Sequence, residues 1–187
     1  MSKHWSILAF ATSLLLAFAP SVHAHFLWIV TDGGKVEVYF NETCTPGEAD
    51  LLQRVTGAKV WALSNQLRAQ QPFQDLAIVL ADGSLAADQP ENVGMVGLSH
   101  DYDILTRGDK TFLLRYYAKT YTSPIPGSWK ELNNAERLAL EITPKWRGGE
   151  LQLKVLWKGR PAREAEVVVS GCGFEQETLQ TDGDGVV

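Results

Sequence analysis

The sequence predicts an all-β protein: a β-sandwich followed by a second, incomplete β-sandwich module. Three observations carry that expectation. Apolar residues recur with period two in short runs, as in Lys35-Val36-Glu37-Val38-Tyr39-Phe40, where Val36, Val38 and Phe40 share one face. The runs are punctuated by Asp-Gly, Gly-Gly and Gly-Asp turns. The stretch Thr111 to Lys119 is rich in the aromatic residues that suit a half-buried pleated surface. Short strands at this spacing are the pattern of a sandwich.

Taken in order, Phe26 to Thr31 and Lys35 to Phe40 form a first hairpin around Asp32-Gly33-Gly34, whose glycines suit the positive-φ positions of a tight turn. Glu48 to Thr56 forms a short helix after Pro46. Ala58 to Leu63 is a strand, Asn65 to Phe73 a polar loop, and Leu76 to Leu80 a strand closed by Ala81-Asp82-Gly83. Residues 82 to 94 read as loop, and His100 is placed in a loop that precedes the turn at Gly108-Asp109. Ser123-Pro124-Ile125-Pro126-Gly127 ends the aromatic strand. A module boundary is placed at 143, giving a sandwich over 25–142 and a partial transthyretin-like module over 143–187. In the latter, Leu151, Leu153 and Val155 alternate, Glu164 to Ser170 is a strand, and Thr181 to Gly185 turns into a strand that is barely begun.

Residues 1–24 have the form of a secretory signal peptide. Lys3 precedes a short apolar core, and Val22 and Ala24 stand at the −3 and −1 positions of a small-residue cleavage site. The core is too short and too interrupted for a membrane span of about 20 apolar residues. The chain is therefore expected to be periplasmic or secreted, and soluble. The net charge is −5 over 187 residues, and loss of Lys3 leaves 16 basic against 22 acidic side chains, which excludes the basic face a nucleic-acid binder needs. Export permits a disulfide. Cys44 and Cys172 fall in different expected modules, and their pairing stays open.

Cleavage after Ala24 exposes His25 as the first residue. Its α-amine and its imidazole Nδ1 can then chelate one metal ion together. Of four histidines, His4 and His23 leave with the signal, so His25 and His100 are the two that remain. Three nitrogens from these residues form the kind of donor set that suits Cu(II) or Ni(II). Asp101 and Asp103, beside His100, could fill a further position or orient the imidazole. A single histidine is more often a surface or satisfied core residue than a ligand, and only the new amine shifts that balance. The sequence lacks the Gly-x-Ser-x-Gly, HExxH, P-loop and dinucleotide patterns. Asp182-Gly183-Asp184-Gly185 begins like a calcium loop but lacks the rest of the ligand pattern, so it reads as a turn. The six tryptophans and Tyr116-Tyr117 could line a sugar site, although in a sandwich such residues mostly fill the core.

Several segments together resemble one family of exported bacterial proteins. They are His23-Ala24-His25-Phe26-Leu27-Trp28, Pro46-Gly47-Glu48, Ala58-Lys59-Val60-Trp61-Ala62, Leu105-Thr106-Arg107-Gly108, the run from Phe112 to Lys119, Gly159 with Pro161, and Thr181-Asp182 with Asp184-Gly185. The family is a domain-of-unknown-function group labelled as nickel-uptake-transporter proteins. The tail resembles transthyretin-like, carboxypeptidase-regulatory-like modules. The resemblance implies a periplasmic protein that binds or hands over nickel or cobalt, with a membrane metal transporter as partner, and it carries over His25 alone. The resulting expectation is a non-catalytic transition-metal binder using His25 and His100 with support from Asp101 or Asp103. The alternatives are a periplasmic copper carrier, a copper monooxygenase acting on polysaccharide, and a structural or adhesion module without metal.

Overall fold

The computed structural model describes residues 24–66, 73–123, 125, 129, 132, 137–171 and 174–187. The expected signal peptide, apart from Ala24, lies outside the described residues, as do Cys172, most of the 65–73 loop and most of the 123–127 break.

Period-two patterning produces what it should. Strands β1 (Phe26–Asp32) and β2 (Lys35–Asn41) pair antiparallel in full register from Phe26 opposite Asn41 to Asp32 opposite Lys35. Gly33 and Gly34 make the turn at φ +55° and +77°, a left-handed pair that side chains with a Cβ resist. Val36, Val38 and Phe40 are buried, and the residues between them are less so. The predicted helix is α1 (Ala49–Gln53), which is shorter than the sequence suggested and buries Leu52.

Strand β3 (Lys59–Ser64) lies between β4 (Phe73–Leu76) and β7 (Val93–Arg107), and β7 pairs in turn with β8 (Lys110–Tyr121). This sheet, in the order β4-β3-β7-β8, faces a second sheet in which β1 and β2 are joined by β6 (Ser84–Asp88) and β5 (Val79–Ala81) in the order β1-β2-β6-β5. The core between them is built from Val36, Val38 and Phe40 of one sheet and Val60, Ala62, Val96 and Leu98 of the other, with Leu52 and Val55 closing one end. Each of the valine, leucine and phenylalanine side chains contributes about 1.5–3 kcal/mol relative to exposure, and Ala62 less. β1 also runs beside β8, bringing the sheets together along that edge.

Three expectations are corrected. The apolar run 76–80 is not one strand: β4 ends at Leu76, β5 starts at Val79, and the two belong to different sheets. Ile78, at the crossing, packs against the core, so an apolar crossing looked like a continuous strand. Residues 84–88, read as loop because they are small and weakly β-forming, are a strand held between β2 and β5. His100 is not in a loop either but near the middle of the 15-residue strand β7.

The chain continues with β9 (Leu140–Arg147), within which the expected boundary at residue 143 falls. β9 pairs with β10 (Glu150–Trp157), and β10 with the two-residue β11 (Arg160–Pro161). β12 (Glu166–Gly171) and β13 (Phe174–Gln180) form a separate ribbon, of which β13 was not anticipated. Asp182 accepts the backbone N–H groups of Asp184 and Val186, both at 2.9 Å, which makes the Asp-Gly-Asp-Gly segment a side-chain-braced turn. Beyond it, Val187 exchanges two backbone hydrogen bonds with Leu153 of β10.

Candidate functional site

Alternation along β7 divides its residues between two faces. Val96, Leu98 and His100 point into the sandwich, with His100 9% exposed, whereas Asp101 and Asp103 are exposed. Tyr102 sits at an irregularity in the ladder, since Asp101 faces Arg115 and Asp103 faces Leu114 with no partner for the residue between them. Two residues on from His100, the Tyr102 ring lies toward it, with centroids 6.1 Å apart.

His25 stands just before β1, half-buried, with its imidazole 5.4 Å from the Phe40 ring. Phe40 in turn lies 5.6 Å from Tyr102 and 5.7 Å from Tyr116. Tyr102 and Tyr116 meet edge-to-face at 5.6 Å, and Tyr116 is the cross-strand partner of His100. Five rings therefore form one cluster at the open end of the first module, with a histidine at each end. The geometry is the offset and edge-on packing that aromatic quadrupoles favour.

The His100 ring is held by a hydrogen bond in which Nε2 donates to the carbonyl oxygen of Arg54 at 3.2 Å. A carbonyl only accepts, so this bond places the proton of a neutral imidazole on Nε2 and leaves Nδ1 with its lone pair. Arg54 also donates through Nη1 to the Tyr102 hydroxyl at 3.4 Å. That bond, assisted by Asp103, holds the guanidinium above its ordinary range. Burial raises the Tyr116 phenol, and Tyr102 beside it adds to the effect.

The carboxylates named with His100 have other engagements. Asp101 accepts from Arg115 through two oxygens, at 2.8 Å from Nε and 3.3 Å from Nη2, on the outward face of the strand. Asp103 caps the N–H of Ile104 at 2.7 Å. The sequence reading that placed them beside the imidazole assumed a loop; in the strand Asp101 takes the face opposite to its neighbour His100, and Asp103 lies exposed beyond the irregularity. Among the described residues, no three His, Cys, Asp or Glu side chains gather as metal ligands. Cys44 is an exposed thiol whose pKa is raised by partial burial.

Sequence reasoning missed Tyr102 and Arg54, and read Phe40 as core and Tyr116 as core or sugar-site lining. Tyr102 was legible in principle, two residues from His100, once that segment is recognised as a strand. Arg54 was not, because its contribution is a backbone oxygen.

The fold and the rim define an all-β protein in which a two-sheet sandwich carries a histidine–tyrosine cluster at one end. Comparison with protein-family models, with curated proteins and with solved structures returned no significant match.

Proposed function

We propose that the exported form of this chain binds a divalent transition metal ion at the histidine–tyrosine rim. In this reading, cleavage after Ala24 frees the His25 amine, His25 supplies amine and Nδ1, and His100 supplies Nδ1. The supporting observation is that His25 and His100 border one aromatic cluster; Phe40 and Tyr102 stand between them, so joint ligation requires those rings to move aside when metal binds. Two side chains suffice because the third donor is a backbone amine that leader removal creates. Asp101 has no part in the set. A nitrogen-rich donor group suits nickel or copper better than magnesium or calcium. The role is carriage in the periplasm or outside the cell, serving nickel or cobalt uptake through a membrane transporter, with copper as the competing cargo.

The experiment uses mature protein beginning at His25, verified by mass, and titrates Ni(II) and Cu(II) by calorimetry. Nitrogen hyperfine structure in the Cu(II) paramagnetic resonance spectrum that reports three nitrogens, and one fewer in each of H25A and H100A, supports the reading. Equal uptake by protein carrying one extra residue before His25 refutes it.

A further inference from the structure

Strand β7 outruns one of its two partners. Its pairing with β3 ends at Lys59 opposite Ser99, whereas its pairing with β8 continues to Arg107 opposite Lys110. Among the described residues no strand joins β7 on the β3 side after Ser99, so the β7–β8 hairpin ends as a two-stranded arm. An isolated ribbon of two strands is marginal in water. This one also displays apolar side chains on both faces. Ile104 and its cross-strand partner Leu113 are 66% and 44% exposed, and on the other face Phe112, opposite Leu105, is 39% exposed.

From Asp103 to Arg107 the ladder with β8 is regular, so period two applies. The Ile104 N–H donates to the carboxylate of Asp103 at 2.7 Å, the bond an edge donor makes when no neighbouring strand takes it. Thr106, two residues on, shares that edgeward direction. Asp103, Leu105 and Arg107 share one face, with Asp103 and Arg107 both exposed. Among the described residues neither carries a salt bridge; Asp103 helps to hold the Arg54 charge but does not bridge to it. The edge therefore reads acid, leucine, base at equal spacing. Turned end for end about Leu105, it is its own electrostatic complement.

We propose that the mature chain forms a two-fold dimer in which this edge of β7 pairs antiparallel with the same edge of a second copy, centred on Leu105. Asp103 then faces the partner's Arg107, twice per dimer, as an opposite-charge cross-strand pair. Ile104 exchanges backbone hydrogen bonds with the partner's Thr106, and the Asp103 carboxylate leaves the Ile104 N–H for the guanidinium. The contact is isologous, as two-fold symmetry requires, and the marginal ribbon becomes a four-stranded sheet. A membrane is the poorer occupant, because insertion would carry Arg107, Asp109 and Lys110 in first. The arm lies beyond His100 along β7, so the inference does not rest on the metal reading.

Sedimentation equilibrium of the mature protein in EDTA tests this. A concentration-dependent dimer is expected. D103R and R107D should each weaken it about tenfold, since either swap sets two like-charge pairs across the axis. The double swap D103R/R107D should return to within about threefold of the parent, and H25A should match the parent. T106P removes an edgeward N–H that the hairpin itself does not use, so it should give a folded monomer, with the fold read by circular dichroism. That variant keeps the test valid if a single swap folds poorly. A parent that stays monomeric up to about millimolar concentration overturns the proposal. So does a T106P dimer as tight as the parent, or a double swap no tighter than the single ones.

Discussion

Lys119 of β8 and Glu141 of β9 form an ion pair at 2.8 Å between Nζ and Oε1, with side chains only 9% and 1% exposed, where the first module meets the second. Leu27, Ile29, Leu140, Ile142 and Leu153 line the adjoining apolar hollow. Burial lowers the Lys119 ammonium, and Glu141 opposes that shift through its hydrogen bond and charge. Removing one member of a buried pair is costly because the other charge stays buried, so E141Q should destabilise, by at most about 3–5 kcal/mol. Replacing both with apolar residues, K119M/E141L, should recover most of that loss. Urea denaturation of the two variants checks the ordering; an E141Q protein as stable as the parent contradicts it.

Burial, and to a lesser degree Glu141, pushes the Tyr121 phenol up. A phenol whose folded pKa is raised contributes stability that is complete below its unfolded value of about 10 and lost as pH climbs above it. Lys119 acts in the opposite sense, since its lowered pKa makes stability rise with pH as the folded value is passed. The comparison must therefore be Y121F against the parent. Thermal melts from pH 8 to 11 should show the parent losing more of its stability above pH 10 than Y121F does.

Gly97 carries a steric requirement. A Cβ there would lie 2.4 Å from Trp61 Cζ2 and 2.5 Å from Cη2. The indole cannot easily retreat, being packed edge-on to Phe73 at 5.7 Å with Arg137 over its face at 5.6 Å. G97A should destabilise by about 1–3 kcal/mol, the usual cost of overpacking. The combination G97A/W61L should regain part of it, read from melting temperatures.

The metal reading makes a prediction about what should not matter. D101N removes a carboxylate that pairs with Arg115 on the outer face, so metal affinity should stay within about twofold of the parent, as for an exposed ion pair. H100A should weaken binding and remove one of the coordinated nitrogens from the Cu(II) hyperfine pattern, leaving the two of His25. Affinity should fall on acidification, because protons compete with the metal for the ligand nitrogens. Calorimetry on D101N and H100A at pH 7.5 and 5.5 separates these outcomes.

Much of the first sandwich was legible because each strand carries its own signal. Val36, Val38 and Phe40 announce a buried face, and Gly33-Gly34 announces the turn. The failures share a cause. Ile78 reads as a strand residue because apolar character does not distinguish a strand from a crossing between sheets. Ser84 to Asp88 reads as loop because its pairing with β2 and β5 is tertiary. At the site, the two histidines stood out by their scarcity. Their true neighbours did not, since Phe40 and Tyr116 lie far from both in sequence.

The sequence by itself determined the all-β class, the first hairpin and the pair of histidines worth examining, because alternation and turn chemistry are local. Only the tertiary structure decided which face of β7 each residue takes, and with it that Asp101 serves Arg115 while His100 serves Arg54 and the tyrosines. The physical reason is the strand's two-residue period: whether a segment is strand or loop fixes whether neighbours in sequence are neighbours in space, and that choice is made by pairing with β3 and β8.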